Sequence, residues 1–357
     1  MASKTRNSSI ELLRLLCIVG IIFMHTIAYG GDELAIYNRY LLIVVNCFTN
    51  IGVTCFMLIS GYFGVKLQPE KLIKLDLMII LYSILHVVIK LLLGVEVGVM
   101  SVVSAIFPVL SNQYWYVTAY FIIVIFSNYI NQIPEKLSKS GFENLLFGLI
   151  FLFAIVPTFL HFDILGSEGK NVVYMTTIYL IGRYIQKYDS KSYKKSRLAI
   201  LLMLTLVVTL ILETALFVVT GKYSIFYRDC SVFTLISSIL VFTIFRNAYF
   251  ENKLINKLAG CVLAIYVFSF GFQRLIHVLI PLENWAFSPF LFPMICVFTP
   301  CVVVGCMLIE LVRQKIFGEI ENKLVNRIAT RLEKLLEFGK GKGFQFTDRI
   351  INYIIRK

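Results

Sequence analysis

Charge is scarce in this chain. Of 357 residues only 15% are Asp, Glu, Lys or Arg, against about a quarter in a water-soluble domain. That shortage excludes a soluble enzyme, a secreted domain and a disordered chain, none of which folds or dissolves on so little polarity. Acids are scarcer still, 21 against 34 bases, for a formal net charge of +13. Histidine is nearly absent, with four copies. Eight cysteines occur (Cys17, Cys47, Cys55, Cys230, Cys261, Cys296, Cys301, Cys306), but none shows C-x-x-C spacing and no His cluster accompanies them. They read as small buried hydrophobes, with no metal site and no disulfide framework. What is abundant is apolar sequence: 58% of residues, a mean hydropathy of +0.81 and runs of around twenty residues. Runs of that length exclude an outer-membrane barrel, whose strands alternate.

The expected fold is all-α: a polytopic membrane helical bundle of about ten transmembrane helices. The spans read as 10–29, 41–63, 73–93, 115–132, 145–161, 173–187, 198–219, 230–246, 260–280 and 290–312. The fifth, sixth and eighth are short for about 30 Å of hydrocarbon. Lys4 and Arg6 ahead of the first span imitate a signal peptide, yet no small-x-small cleavage site follows, so it reads as a retained helix. With the N-terminus inside, the inner loops carry sixteen Lys and Arg and the outer loops four: Arg39, Lys170, Lys222 and Arg228. This bias repeats loop after loop and places both termini in the cytoplasm. The positive charge is thereby a topology signal, and nucleic-acid binding loses its support.

Composition divides the chain into a ten-helix domain, 1–313, and a basic tail, 314–357. In the tail Ile316, Ile320, Leu324, Ile328, Leu332 and Leu335 recur at helical spacing among charges. Gly339, Gly341 and Gly343 are expected to break that helix, and Phe346, Ile350, Ile351, Ile354 and Ile355 to restart it. Such a segment suits the anionic inner leaflet, or a partner helix.

Ionisable groups inside spans are costly and therefore informative. Arg14 and His25 lie eleven residues apart, which is 1100° or three turns plus 20°. They share one face of the first helix, about 16 Å apart along its axis. Arg14 at the inner mouth suits an anionic substrate, or is an anchor paired with Glu11 one turn back. His25, beyond the midplane, suits proton transfer, or hydrogen-bonded packing. Ser60 and Gly61 permit close helix approach, and Tyr62 suits the interface. Gln113, Trp115 and Tyr116 open the fourth span as an aromatic belt, or as a surface that stacks on a sugar while the amide bonds its hydroxyls. His86 and Lys90 stand in the third span. Glu213, Arg274 and His277 map to the outer half, where a Glu213–Arg274 pair would hold the bundle, or the three would relay protons with His25.

These stretches resemble the acyltransferase type 3 family of integral-membrane acyltransferases. The marker is Glu11-Leu12-Leu13-Arg14 with His25 eleven residues beyond Arg14. Phe56 to Phe63 ending Ser60-Gly61-Tyr62-Phe63, the run Tyr114 to Tyr120, and Tyr179-Leu180-Ile181-Gly182-Arg183-Tyr184 accompany it. The resemblance implies that Arg14 and His25 are essential for transfer, with Arg14 and Arg183 on the donor side. It implies a cytoplasmic acyl-coenzyme A donor, usually acetyl-CoA, used as co-substrate with no bound cofactor. It also implies a hydroxyl acceptor on a surface glycan or its lipid-linked precursor, O-acetylation, and the cytoplasmic membrane of a bacterial cell. One departure is Tyr266-Val267-Phe268-Ser269, where many relatives have Tyr-Leu-Ile-His; that role is absent or has moved, with His277 a candidate. The tail after Arg313 is also longer than the core requires.

The chemistry fits. A hydroxyl attacks a thioester slowly unless a base takes its proton, and a neutral imidazole does this near pH 7. His25 is the expected base, acting directly or through a covalent acyl relay, while Arg14 steers phosphates or polarises the carbonyl. Competing readings are a transporter or flippase and a polysaccharide polymerase. The first calls for paired Gly/Pro-broken half-helices, which the eight prolines do not supply. The second calls for a sizeable outer loop, yet the longest outer connection, roughly 94–113, has no Lys or Arg.

Overall fold

A computed structural model describes residues 7–28, 34–189, 191 and 193–355, with side chains through residue 331, Ala28 excepted. Lys4, Arg6, the end of the first span at Tyr29, and Arg356 and Lys357 lie outside the described residues. The described elements are all helical. In chain order they are α1 (Ser8–Ala28), α2 (Ile36–Thr49), α3 (Gly52–Phe63), α4 (Pro69–Leu92), α5 (Val99–Ile106), α6 (Trp115–Ile125), α7 (Ser127–Ile130) and α8 (Ile133–Lys136). Then come α9 (Lys139–Ile150), α10 (Val156–Phe159), α11 (Val172–Tyr188), α12 (Lys195–Thr220), α13 (Val232–Arg246), α14 (Lys253–Ala259), α15 (Val262–Leu279) and α16 (Leu291–Ile355).

Helix starts follow local chemistry. Ser138, Asn171, Ser231 and Asn252 each accept a backbone N–H from the first turn they precede, satisfying a donor the helix leaves orphaned. Pro69 occupies the first position of α4, where its missing N–H costs nothing.

All ten expected spans meet helix, but with differences. Seven stretches are long and apolar enough to cross a membrane, among them Ile36–Phe63, Lys139–Phe159 and Leu291–Arg331. The second is two helices, α2 and α3, interrupted at Asn50 and Ile51. The fourth is a bent pair, α6 with Ser127–Lys136 at 64°. The fifth, read as short, is 21 residues once the π-helical turn Phe151–Ile155 joins α9 to α10. The eighth, α13, has 15 residues and the sixth, α11, has 17.

The tail corrects another expectation. Gly339, Gly341 and Gly343 do not break the backbone: α16 runs 65 residues without interruption, through 313 and 314 as well. Glycine costs a helix interior only about 1 kcal/mol relative to alanine, which the helix-forming neighbours offset. Two cysteines also depart from expectation: Cys296 and Cys301 are exposed on α16, while the other six are buried.

Helix α1 is the hub, packed against α2, α3, α13, α14, α15 and α16. The closest pairing is α3 with α11. A Cβ on Gly182 would fall 2.5 Å from the Leu58 carbonyl oxygen, and one on Gly61 would collide with the Tyr179 backbone. Small residues bring backbones together where apolar burial supplies no drive. Gly52 likewise seats α3 on Ile21 of α1.

Candidate active site

The face of α1 that carries Arg14 opens on a cavity of about 790 Å³. Its walls include Glu11, Arg14 and Ile21 of α1, Val53, Phe56 and Ser60 of α3, Tyr116 and Tyr120 of α6, and Tyr266 of α15. Arg14 Nη1 donates to Glu11 Oε2 at 2.8 Å, and Glu11 is buried. The anchor pairing foreseen from sequence therefore forms, yet the guanidinium still faces the cavity. Tyr116 and Tyr120 lie one turn apart and within electrostatic reach of it. Ser60 turns its hydroxyl back to the Phe56 carbonyl at 2.9 Å. Tyr62 is packed edge-on against Phe63 and Phe242, so it serves the core.

A second cavity, about 420 Å³, adjoins the first and shares Leu75 and Tyr120 with it. Lys66, Gln68 and Lys71, from the α3–α4 connection and the start of α4, line it. The turn there is held from two sides: Tyr179 Oη accepts the Val65 N–H at 3.0 Å and Asn131 donates to the Val65 carbonyl at 2.8 Å. Gly64 has φ +69° and would press a Cβ to 2.7 Å from Arg183 Nη1, so only glycine suits both the backbone and the space. Arg183 thus stands behind the second cavity, its Nη2 3.9 Å from Glu135 Oε1.

His25 lies one turn beyond Ile21 on the same face and is exposed; it is not itself among the walls of the first cavity. Thr26 beside it accepts hydrogen bonds from Gln273 at 3.1 Å and Thr299 at 3.5 Å. Those bonds pin the C-terminal half of α1 to α15 and α16. Lys170 of the α10–α11 connection lies within electrostatic reach of the imidazole. Lys170 also reaches Asp229, a buried carboxyl whose Oδ1 has no hydrogen-bond partner. Burial pushes Asp229 up to about 6, and Lys170 opposes this. The Tyr174 hydroxyl, buried and unpartnered, faces the same group.

The loop carrying Asp229 explains what Glu213 does. The Glu213 carboxylate is fully buried and accepts the N–H groups of Ser224, Ile225 and Phe226. Asn50 Nδ2 donates to the Tyr227 carbonyl at 2.5 Å. The expected Glu213–Arg274 pair does not form, because the loop's backbone donors need an acceptor and occupy both oxygens. Arg274 instead lies 5.5 Å from the Phe270 ring centroid, and His277 Nε2 is 2.6 Å from Glu283. That contact holds the Glu283 carboxyl below its usual range, against the opposing effect of burial. Glu213, Arg274 and His277 thus each meet a partner of their own. His277 does not replace the relatives' histidine in the cavity, and Ser269 at that place donates to the Tyr266 carbonyl at 3.3 Å.

The aromatic group at the start of α6 is divided. Tyr116 lines the first cavity beside Arg14; Trp115 packs into the core; Gln113 is exposed in the preceding turn. Sequence reasoning named the stretches holding Tyr120 and Tyr266 without giving either tyrosine a place in the cavity, and it missed Asp229 and Tyr174. Lys66 and Lys71 were legible as inner-loop charges but not as cavity walls.

A family model described as an acyltransferase domain matches residues 7–311. The chain belongs to the acyltransferase type 3 family and is a multi-pass membrane acyltransferase. No curated protein and no solved structure matches it.

Proposed function

We propose that this chain moves an acyl group, acetyl in the first instance, from cytoplasmic acyl-coenzyme A to a hydroxyl of a surface glycan or its lipid-linked precursor. The observation that carries this reading is the first cavity, which follows the Arg14 face of α1 to within one turn of His25. The adjoining basic cavity, with Lys66 and Lys71, suits the phosphates of the nucleotide end of such a donor. Arg14, beyond its bond to Glu11, presents further N–H donors to a phosphate.

In the step itself the acceptor oxygen attacks the thioester carbonyl carbon. His25 takes the hydroxyl proton, the C–O bond forms and the C–S bond breaks. The departing thiolate then takes the proton from the imidazolium, returning His25 neutral and releasing coenzyme A as the thiol. The donor cavity on the side of the lysine-rich loops and the histidine toward the other side support a bilayer-spanning division of labour, with donor and acceptor approaching from opposite faces.

The test compares wild type, His25→Ala and Arg14→Lys for acetyl released from purified surface polysaccharide and for coenzyme A thiol formed in membranes. His25→Ala should lower transfer at least 100-fold with the protein still in the membrane. Retained activity refutes the base. Arg14→Lys should raise the donor KM by about tenfold more than it lowers kcat; an unchanged KM refutes phosphate steering. Loss of polymer, rather than of acetyl, in a deletion strain would place the chain with the polymerases or flippases instead.

A further inference from the structure

The outer halves of α4 and α15 bring together three basic side chains that the transfer chemistry above does not use. His86 of α4 is 7% exposed, and neither of its ring nitrogens has a hydrogen-bond partner. Its ring stacks on Phe270 of α15 at 5.9 Å between centroids, with a 25° interplanar angle. Gly271 gives it room, since a Cβ there would stand 3.3 Å from the imidazole. One turn outward on each helix, Lys90 and Arg274 stand half-buried. All three groups act on one another electrostatically.

Among the described residues no carboxylate balances them. Neither α15 nor α5 contains an acid, and Asp76 and Glu70 sit toward the opposite end of α4. Glu310 of α16 is taken by Arg313, Tyr82 and Gln314, and Glu283 by His277. Glu96, the acid nearest along the chain to Lys90, is exposed and forms no ion pair among the described residues. Two unneutralised cations beside an unsatisfied imidazole are costly in an apolar protein and mark a place where a ligand supplies the missing charge. The surrounding surface says which kind. Val88, Leu91, Leu275 and Val278 are all exposed, so the cations are framed by side chains suited to acyl tails.

We propose that Lys90, Arg274 and His86 bind the phosphate of an anionic lipid at the outer end of the α4–α15 seam. The guanidinium and the ammonium are the cationic donors, and the imidazole one turn further in is the unsatisfied polar group beside them. Basic pockets between membrane helices hold lipid head groups in this manner. The site stands independently of the transfer reading, because none of its residues lines either cavity. Two lipids carry the required chemistry: a glycerophospholipid, and a polyprenyl phosphate such as carries a glycan.

The full chain, purified in detergent, would be examined by native mass spectrometry with phosphatidylglycerol, polyprenyl phosphate and neutral diacylglycerol. At least one phosphate lipid should be retained about tenfold over diacylglycerol, and K90Q/R274Q should lose that margin while K90R/R274K keeps it. A preference for polyprenyl phosphate identifies a glycan carrier, and a preference for phosphatidylglycerol a bilayer lipid. Equal retention of all three lipids by wild type, or an unchanged margin in K90Q/R274Q, overturns the site. Should K90Q/R274Q not fold, a head-group photoreactive phosphatidylglycerol and its polyprenyl phosphate counterpart on the wild-type chain decide the matter. Adducts within 83–95 and 270–280 are expected from one of them, and adducts only elsewhere overturn the proposal.

Discussion

Asp229 keeps its proton to about pH 6 in the folded chain because burial disfavours the carboxylate, whereas an unfolded aspartate loses it near 4. Between those values the folded state binds more protons than the unfolded one, so stability falls as pH rises from about 4 to about 6 and levels off above. Asp229→Asn should remove that slope. Thermal unfolding of the detergent-solubilised pair across pH 4 to 7 checks it, and parallel profiles would refute it. This residue marks the limit of sequence reading at its own scale. Arg14, Glu11 and His25 were legible because all three lie on one helix, where 100° per residue fixes who shares a face. Asp229, Tyr174 and Tyr266 converge from three elements, and no local periodicity encodes that meeting.

Elements were legible where hydropathy alone decides them. The break between α2 and α3 was not: Asn50 keeps its own N–H in the ladder, on the Asn46 carbonyl, and its side chain bonds the Tyr227 carbonyl, 177 residues away, which no local pattern announces. Nor was the bend after Ile125, at 64°. The α3–α11 contact was partly foreseen, since Ser60 and Gly61 announced a close approach without naming the partner. That approach yields a sharp expectation. Gly182→Ala places a methyl 2.5 Å from a backbone oxygen, which no rotamer relieves. It should cost about 3 kcal/mol and lower the midpoint of thermal unfolding. Gly148→Ala, where a Cβ meets nothing within 4 Å, should leave that midpoint unchanged or raise it slightly. Equal effects at the two positions would contradict the packing described.

For the whole molecule, the all-helical, multi-pass character was legible because crossing a bilayer demands runs that composition alone reveals, although seven helices, and not ten, are long and apolar enough to cross by themselves. The tail was misread because glycine spacing says little about a helix already nucleated by the span before it. What fastens this helix to the rest is a buried cluster at its middle. Arg313 binds Glu310 at 2.7 Å and Glu321 at 3.0 Å, Tyr82 donates to Glu310 at 2.6 Å, and Lys74 donates to Asn322 at 2.8 Å. Ending the chain after Arg331 should therefore preserve thermal stability. Ending it after Lys315, which strips Glu321 from a buried arginine, should cost about 3 kcal/mol. Matching midpoints for the two truncations would show that the cluster contributes nothing. At 1.5 Å per residue α16 is close to 100 Å long, about three times the thickness of hydrocarbon. Its fastening point at Lys74 of α4 is next to Leu75 and one turn from Lys71, which wall the basic cavity. A load on the far part of this rod is consequently delivered to the wall of the basic cavity, so whatever grips the shaft has mechanical purchase on that cavity's shape.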